Sequence, residues 1–213
     1  MSAAVDAVHV EAVSGCARGR SGGGLTDGRL VLTSATLVAG AGKVRVTNAH
    51  GKQVTGRVVA MDADADVAWV YAPGLPSVPT APATSGDRVV PAYVFVTSAT
   101  GDVVTFRAQT LARMAVTATD TFGARGVRRE VYRLHLDEPV DGSVAGAPVL
   151  DSSGHLLGIA SSPRPGDPLT LDVVAGDVVA ASVATRTLAA QDPATMATSA
   201  GSRCAPAAVS ASS

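Results

Sequence analysis

Aromatic residues are nearly missing from this chain: one tryptophan, three tyrosines and three phenylalanines make up 3% of its 213 residues. With hydrophobic residues at 46%, the core has to be assembled from Ala, Val and other small or β-branched side chains, which favours strands over helices. A charge excess is lacking too. The 17 basic and 18 acidic residues leave a formal net charge of -1, so there is no electrostatic footprint for nucleic acid or for an anionic membrane surface. The basic trio Arg125, Arg128 and Arg129 is too short to change that and reads as a solvated loop. No apolar run approaches the ~20 residues that cross a bilayer. The opening MSAAVDAVHVEAV has neither the basic start nor the apolar stretch of a signal peptide, so no membrane insertion by this chain itself is expected.

Cysteine is scarce. Cys16 and Cys204 fit no zinc-site spacing, and their placement at opposite ends favours a staple, two unpaired thiols being the alternative. A bridge would close a loop of about 190 residues, worth ~5 kcal/mol in the chain-entropy model before strain is subtracted. It would also imply an oxidising, extracytoplasmic setting.

What the chain does have is a rhythm of short apolar or alternating runs separated by turn residues, as in an antiparallel barrel or sandwich. In the first half these runs are 5–13, 29–33, 43–47, 53–60 and 66–72; NAHGK (48–52) joins two of them as a hairpin, with Asn48 and Gly51 in left-handed conformations. Residues 73–86 are rich in Pro, Ser and Thr, cannot hold a central strand, and mark a boundary between halves. Strand-like runs resume at 88–97, 103–108, 110–118, 130–136, 147–151, 155–162 and 169–174. An Ala-rich stretch at 177–191, closed by Pro193, reads as one amphipathic helix. The expected organisation is an N-terminal unit over 1–80, a second unit over 81–176, a helix over 177–191 and a low-complexity tail over 192–213, disordered except where Cys204 pins it.

Three motifs carry the chemistry. The first runs Leu30-Val31-Leu32-Thr33-Ser34-Ala35-Thr36-Leu37-Val38-Ala39-Gly40, the second Asp62-Ala63-Asp64-Ala65-Asp66-Val67-Ala68-Trp69-Val70, and the third Ser143-Val144-Ala145-Gly146-Ala147-Pro148 with Asp151 and Gly154 following. Together, over about residues 8 to 204, they resemble the trypsin-like serine protease family, and within it the periplasmic protease domain of actinobacterial membrane-anchored acid-resistance proteases. The resemblance implies an all-β fold of two six-stranded antiparallel β-barrels with a C-terminal α-helix. It also implies a cleft in which a histidine base, an aspartate that orients it and a nucleophilic serine meet.

Mapped onto those motifs, the base position is Thr36, the acid is Asp66 and the nucleophile position is Ala145. Neither Thr36 nor Ala145 can do what the family requires there. The oxyanion turn Ser143, Val144, Ala145 lacks the family's first glycine, which lets a backbone N–H aim at the developing oxyanion, and Ala147 adds bulk after it. Past the following run, Pro163 removes a donor from backbone that would pair with a substrate strand. Asp66 is left without a base to orient, so its retention reads as structural. None of the histidines (His9, His50, His135 and His155) is expected beside Asp66. No His/Cys/acid cluster has metal spacing, the alternating Asp62, Asp64 and Asp66 lack the further ligands of a cation loop, and no cofactor is implied. Gly22-Gly23-Gly24 lacks the Lys and helix of a phosphate cradle and reads as close barrel packing.

The expected function is therefore a pseudoprotease: a peptide- or protein-binding or regulatory module of the cell envelope. Two alternatives are a weakly active or unorthodox serine hydrolase using Ser143 or Ser152 with a displaced base, and a purely structural extracytoplasmic domain of a larger membrane-anchored protein.

Overall fold

The computed structural model describes residues 7–75, 89–141, 144–161, 163, 166–196 and 203–204. The expected boundary near residue 80, most of the tail, and Ser143 lie outside them.

Strands β1 (Ala7–Gly15), β2 (Ser21–Asp27), β3 (Leu30–Ser34), β4 (Ala41–Asn48), β5 (Gln53–Asp62) and β6 (Val67–Tyr71) form one unit. They close into an antiparallel barrel in the order β1-β2-β3-β6-β5-β4. Strands β7 (Pro91–Thr97), β8 (Val103–Thr119), β9 (Arg125–Leu136), β10 (Pro148–Asp151), β11 (Leu156–Ala160) and β12 (Thr170–Ala175) close a second, in the order β10-β11-β12-β9-β8-β7. Closure leaves neither sheet with a free edge. The all-β double barrel read from the motifs is thus the fold.

The interiors follow from composition. The first barrel is filled mainly by valine and alanine, with Val8, Val10, Val31, Val44, Val46 and Val58 buried together; the second uses larger residues, including Leu134, Leu136, Leu157 and Leu171. A third cluster lies between them, where Leu25, Leu32 and Trp69 of the first barrel meet Leu150, Leu156 and Ile159 of the second. Burying each such side chain contributes roughly 1.5–3 kcal/mol, so the seam holds the barrels together as firmly as a core.

Four local expectations are corrected. The two runs 103–108 and 110–118 are one 17-residue strand, β8, because a register shift between Thr110 and Ala112 lets the chain bend while still pairing with β9. The Ala-rich stretch is two helices, α2 (Gly176–Ala181) and α3 (Val183–Ala190). Ser182 between them is extended (φ -61°, ψ 151°), and its hydroxyl accepts from the Thr185 N–H at the start of α3. A serine that can cap backbone N–H groups stops one helix and starts the next. At the 48–52 hairpin only Gly51 is left-handed (φ +74°); Asn48 serves the turn through Oδ1, which accepts from the His50 and Lys52 N–H groups. Arg125, Arg128 and Arg129 lie on β9, and Arg129 is buried, its Nε donating to the Asp64 carbonyl.

Candidate functional site

The short helix α1 (Ala35–Val38) follows β3 directly. Its N-cap residue, Ser34, makes no side-chain capping bond, so the first N–H groups need another acceptor. Asp66 supplies it from the turn between β5 and β6: Oδ1 accepts from the Thr36 N–H at 2.8 Å, and its backbone carbonyl accepts from the Ala35 N–H at 3.2 Å. The Ser34 hydroxyl, itself buried, lies 3.0 Å from both carboxylate oxygens. Asp66 is 8% exposed and is the one described non-glycine residue with positive φ, at 56°. Aspartate tolerates that region better than most residues, at a cost of order 1 kcal/mol. Ser34 and Thr36 together recover that cost.

The tip of the long β8–β9 hairpin covers this carboxylate. Thr121 donates its N–H to the Ala63 carbonyl, and its hydroxyl stands 3.5 Å from Asp66 Oδ1. Next to it, the Arg203 guanidinium packs 4.1 Å from the centre of the Phe122 ring. Arg203 adjoins the disulfide between Cys16 and Cys204, whose Cα atoms are 5.8 Å apart. The staple read from cysteine placement is therefore formed, and it brings the end of the described chain to Gly40, just past α1: a Cβ on Gly40 would collide with Cys16 Sγ. Thr36 is exposed, and its carbonyl accepts from Arg20 Nη1 at 2.8 Å.

The third motif approaches from the second barrel. The Ala145 carbonyl accepts from the Gly23 N–H at 2.8 Å, while a Cβ on Gly23 would sit 2.6 Å from Ala147 Cα and one on Gly22 would strike the Ala145 carbonyl. The glycine run of β2 is thus a seam, smooth enough for the turn of the other barrel to press against it. Gly146 closes the turn in the left-handed region (φ +79°), and a Cβ there would stand 3.0 Å from the Ser34 N. Ser34 therefore joins the two sites, binding the Asp66 carboxylate on one side and abutting the Ala145–Gly146 turn on the other. Ala145 is 9% exposed and presents a methyl group.

The histidines lie elsewhere. His9 Nδ1 bonds the Thr97 carbonyl, His50 is in the hairpin turn, His135 on β9 lies opposite Thr170 of β12, and His155 Nδ1 is 3.5 Å from Asp151. The alternating acids diverge as well: Asp62 accepts from the Ala65 and Val183 N–H groups, away from Asp66. Sequence reasoning missed Ser34 and Thr121 as partners of Asp66. Ser34 sat inside a quoted motif, but Thr121 is 55 residues from Asp66 in sequence, on a hairpin tip that carries no local mark of the contact.

Comparison with known proteins matches this architecture. No curated protein matches the chain. Among solved structures, the active form of the Rv3671c protease from M. tuberculosis superimposes with a TM-score of 0.76 at 26% identity, covering 84% of this chain and 80% of that one. An inactive form of the same protease gives 0.71 at 26% identity, covering 84% and 87%. Deg5 shares the fold at 19% identity, with a TM-score of 0.60 over 83% and 86%. The model of the trypsin-like peptidase domain matches residues 13–159, which take in all three motifs and most of both barrels. This chain belongs to the trypsin-like peptidase domain family.

Proposed function

We propose that this protein is a trypsin-like homologue that does not hydrolyse peptides, and that it serves as a peptide- or protein-binding or regulatory module on the extracytoplasmic side of a membrane. The observation that carries the reading is Ala145: at the position where the family motif puts the nucleophile, the turn is packed against the other barrel and presents a methyl group. Thr36 at the base position supports it, since a threonine hydroxyl does not take up a proton at neutral pH as an imidazole does. In serine proteases, loss of either serine or histidine costs on the order of a millionfold in turnover, and loss of both costs little more. Asp66 fits a structural part, its carboxylate engaged by Ser34 and the Thr36 N–H. The Cys16–Cys204 disulfide supports an oxidising compartment. The double barrel supplies a rigid frame whose loops can hold an extended segment.

A fluorophosphonate probe tests the central point. No labelling is expected, and stoichiometric labelling abolished by Ser143→Ala or Ser152→Ala would overturn the reading. In the converse direction, Thr36→His combined with Ala145→Ser should produce measurable hydrolysis of an activated ester, with neither single change doing so. Saturable binding to a member of an immobilised peptide library is the expected positive result for the binding role.

A further inference from the structure

The barrel walls are closed, but β8 runs on past the end of β7. Pairing of β7 with β8 stops at Pro91 opposite Gln109, with one further bond from the Thr110 N–H to the Val90 carbonyl. Over 112–118 the strand keeps an unbroken register with β9 and meets no other strand among the described residues. None of residues 111–119 is buried. The hairpin tip fixes which way the backbone groups point. The Asp120 N–H bonds the Ala124 carbonyl on the β9 side, and bonds to one partner strand fall on every second residue. Counting back in twos, Ala118, Val116, Met114 and Ala112 turn their N–H and C=O groups to β9, while Arg113, Ala115 and Thr117 turn theirs outward. Three donors and three acceptors in a row are a template for one more strand. Common devices that blunt such an edge are missing: 111–119 holds no proline and no lysine, 112–118 has no bulge, and Arg113, its one charged residue, is engaged with Asp177 at 2.6 Å.

Charge says what fits there. Six of the 17 basic residues and two of the 18 acidic ones fall in 103–136, so this ribbon carries +4 and the rest of the chain -5. Arg107 and Arg125 are exposed and make no ion pair among the described residues. Arg128, with its side chain 80% exposed, comes no nearer than 3.9 Å to Glu130. Arg128 lies opposite Thr117 and Arg125 opposite Thr119, so both stand across β8 from the open edge. Two strand spacings, roughly 10 Å, separate them from an added strand, a gap that an arginine and a glutamate side chain span together over the small Ala115 and Thr117. We propose that the outer edge of β8 over 112–118 binds an extended acidic segment of a partner protein by strand addition. A second copy of this chain is disfavoured, because pairing β8 with itself brings two basic ribbons together. The site is separate from the Asp66 carboxylate and the Ala145 turn, and it does not rest on the loss of hydrolysis.

Titration of the whole chain, followed by amide NMR, tests this with two blocked octapeptides: one alternates glutamate with valine and threonine, and the other has lysine at every glutamate. The acidic peptide should bind saturably, shift the signals of residues 112–118, and weaken about tenfold at high salt; the lysine peptide should be weaker by about tenfold or more. Ala115→Pro removes one outward N–H and leaves the β9 ladder whole. It should cut binding of the acidic peptide by about tenfold, whereas Ala115→Thr should keep it. Arg125→Glu with Arg128→Glu, which leaves the edge intact, should abolish the preference for the acidic peptide. Each of the following would overturn the proposal: no saturable binding, equal binding of the two peptides, binding untouched by Ala115→Pro, or shifts confined to the Ala145 turn. So would tighter binding of a single-stranded oligonucleotide, or a dimer in sedimentation that Ala115→Pro dissolves.

Discussion

Asp66 shows how many structural contacts one buried carboxylate can hold. Its carboxylate completes the start of α1, anchors the buried Ser34 hydroxyl and sits under Thr121. Removing it strands a buried hydroxyl and a helical N–H, so Asp66→Ala is expected to destabilise the fold by about 2–4 kcal/mol in urea denaturation. Asp66→Asn keeps one acceptor oxygen and should cost about half as much. The identity of Asp66 was legible from its motif, since an acid before an apolar strand is placed by the residues around it. Its partners were legible only in part. Ser34 falls within a motif, but Thr121 reaches Asp66 through a long hairpin, and contacts of that kind depend on how far two strands extend and bend together.

The elements themselves were read with more success where period decides them. Alternating runs gave the barrel strands because a half-buried strand repeats every second residue. That period does not reveal a bulge, so β8 read as two strands instead of one. The Ala-rich C-terminal stretch read as a single helix because alanine carries high helix propensity and masks a break; only the cap at Ser182 marks it. Ser182→Ala is therefore expected to cost about 1 kcal/mol and to loosen the start of α3, visible as faster amide exchange there. On β9 and β12, Arg133 grips Asp172 with two bonds, Nε to Oδ1 at 2.8 Å and Nη2 to Oδ2 at 3.0 Å. The hydrogen bond to Asp172 holds the guanidinium pKa above its ordinary value. Both side chains are less than a quarter exposed, so Arg133→Met should lower stability by about 1–2 kcal/mol.

At the scale of the whole molecule, two barrels are joined along a seam of small residues. Gly22 and Gly23 let the Ala145–Ala147 turn come within hydrogen-bonding distance of β2. Gly23→Val would force that turn away and should destabilise by about 3 kcal/mol or more, because backbone faces the new side chain and has no rotamer with which to yield. Gly28→Ala, where nothing lies within 4 Å of an added Cβ, carries only the strain of its own positive φ (62°) and should cost about 1–2 kcal/mol in the same measurement. Sequence composition announced the seam only as a glycine run; which surface it meets is a property of the assembled pair.

The Cys16–Cys204 bond spans 188 residues of sequence, so every strand but β1 lies within one covalent ring. A single protease nick between Leu75 and Val89 would open the ring without releasing either barrel. On a denaturing gel the nicked protein should run as one species until a reductant is added, and only then as two fragments.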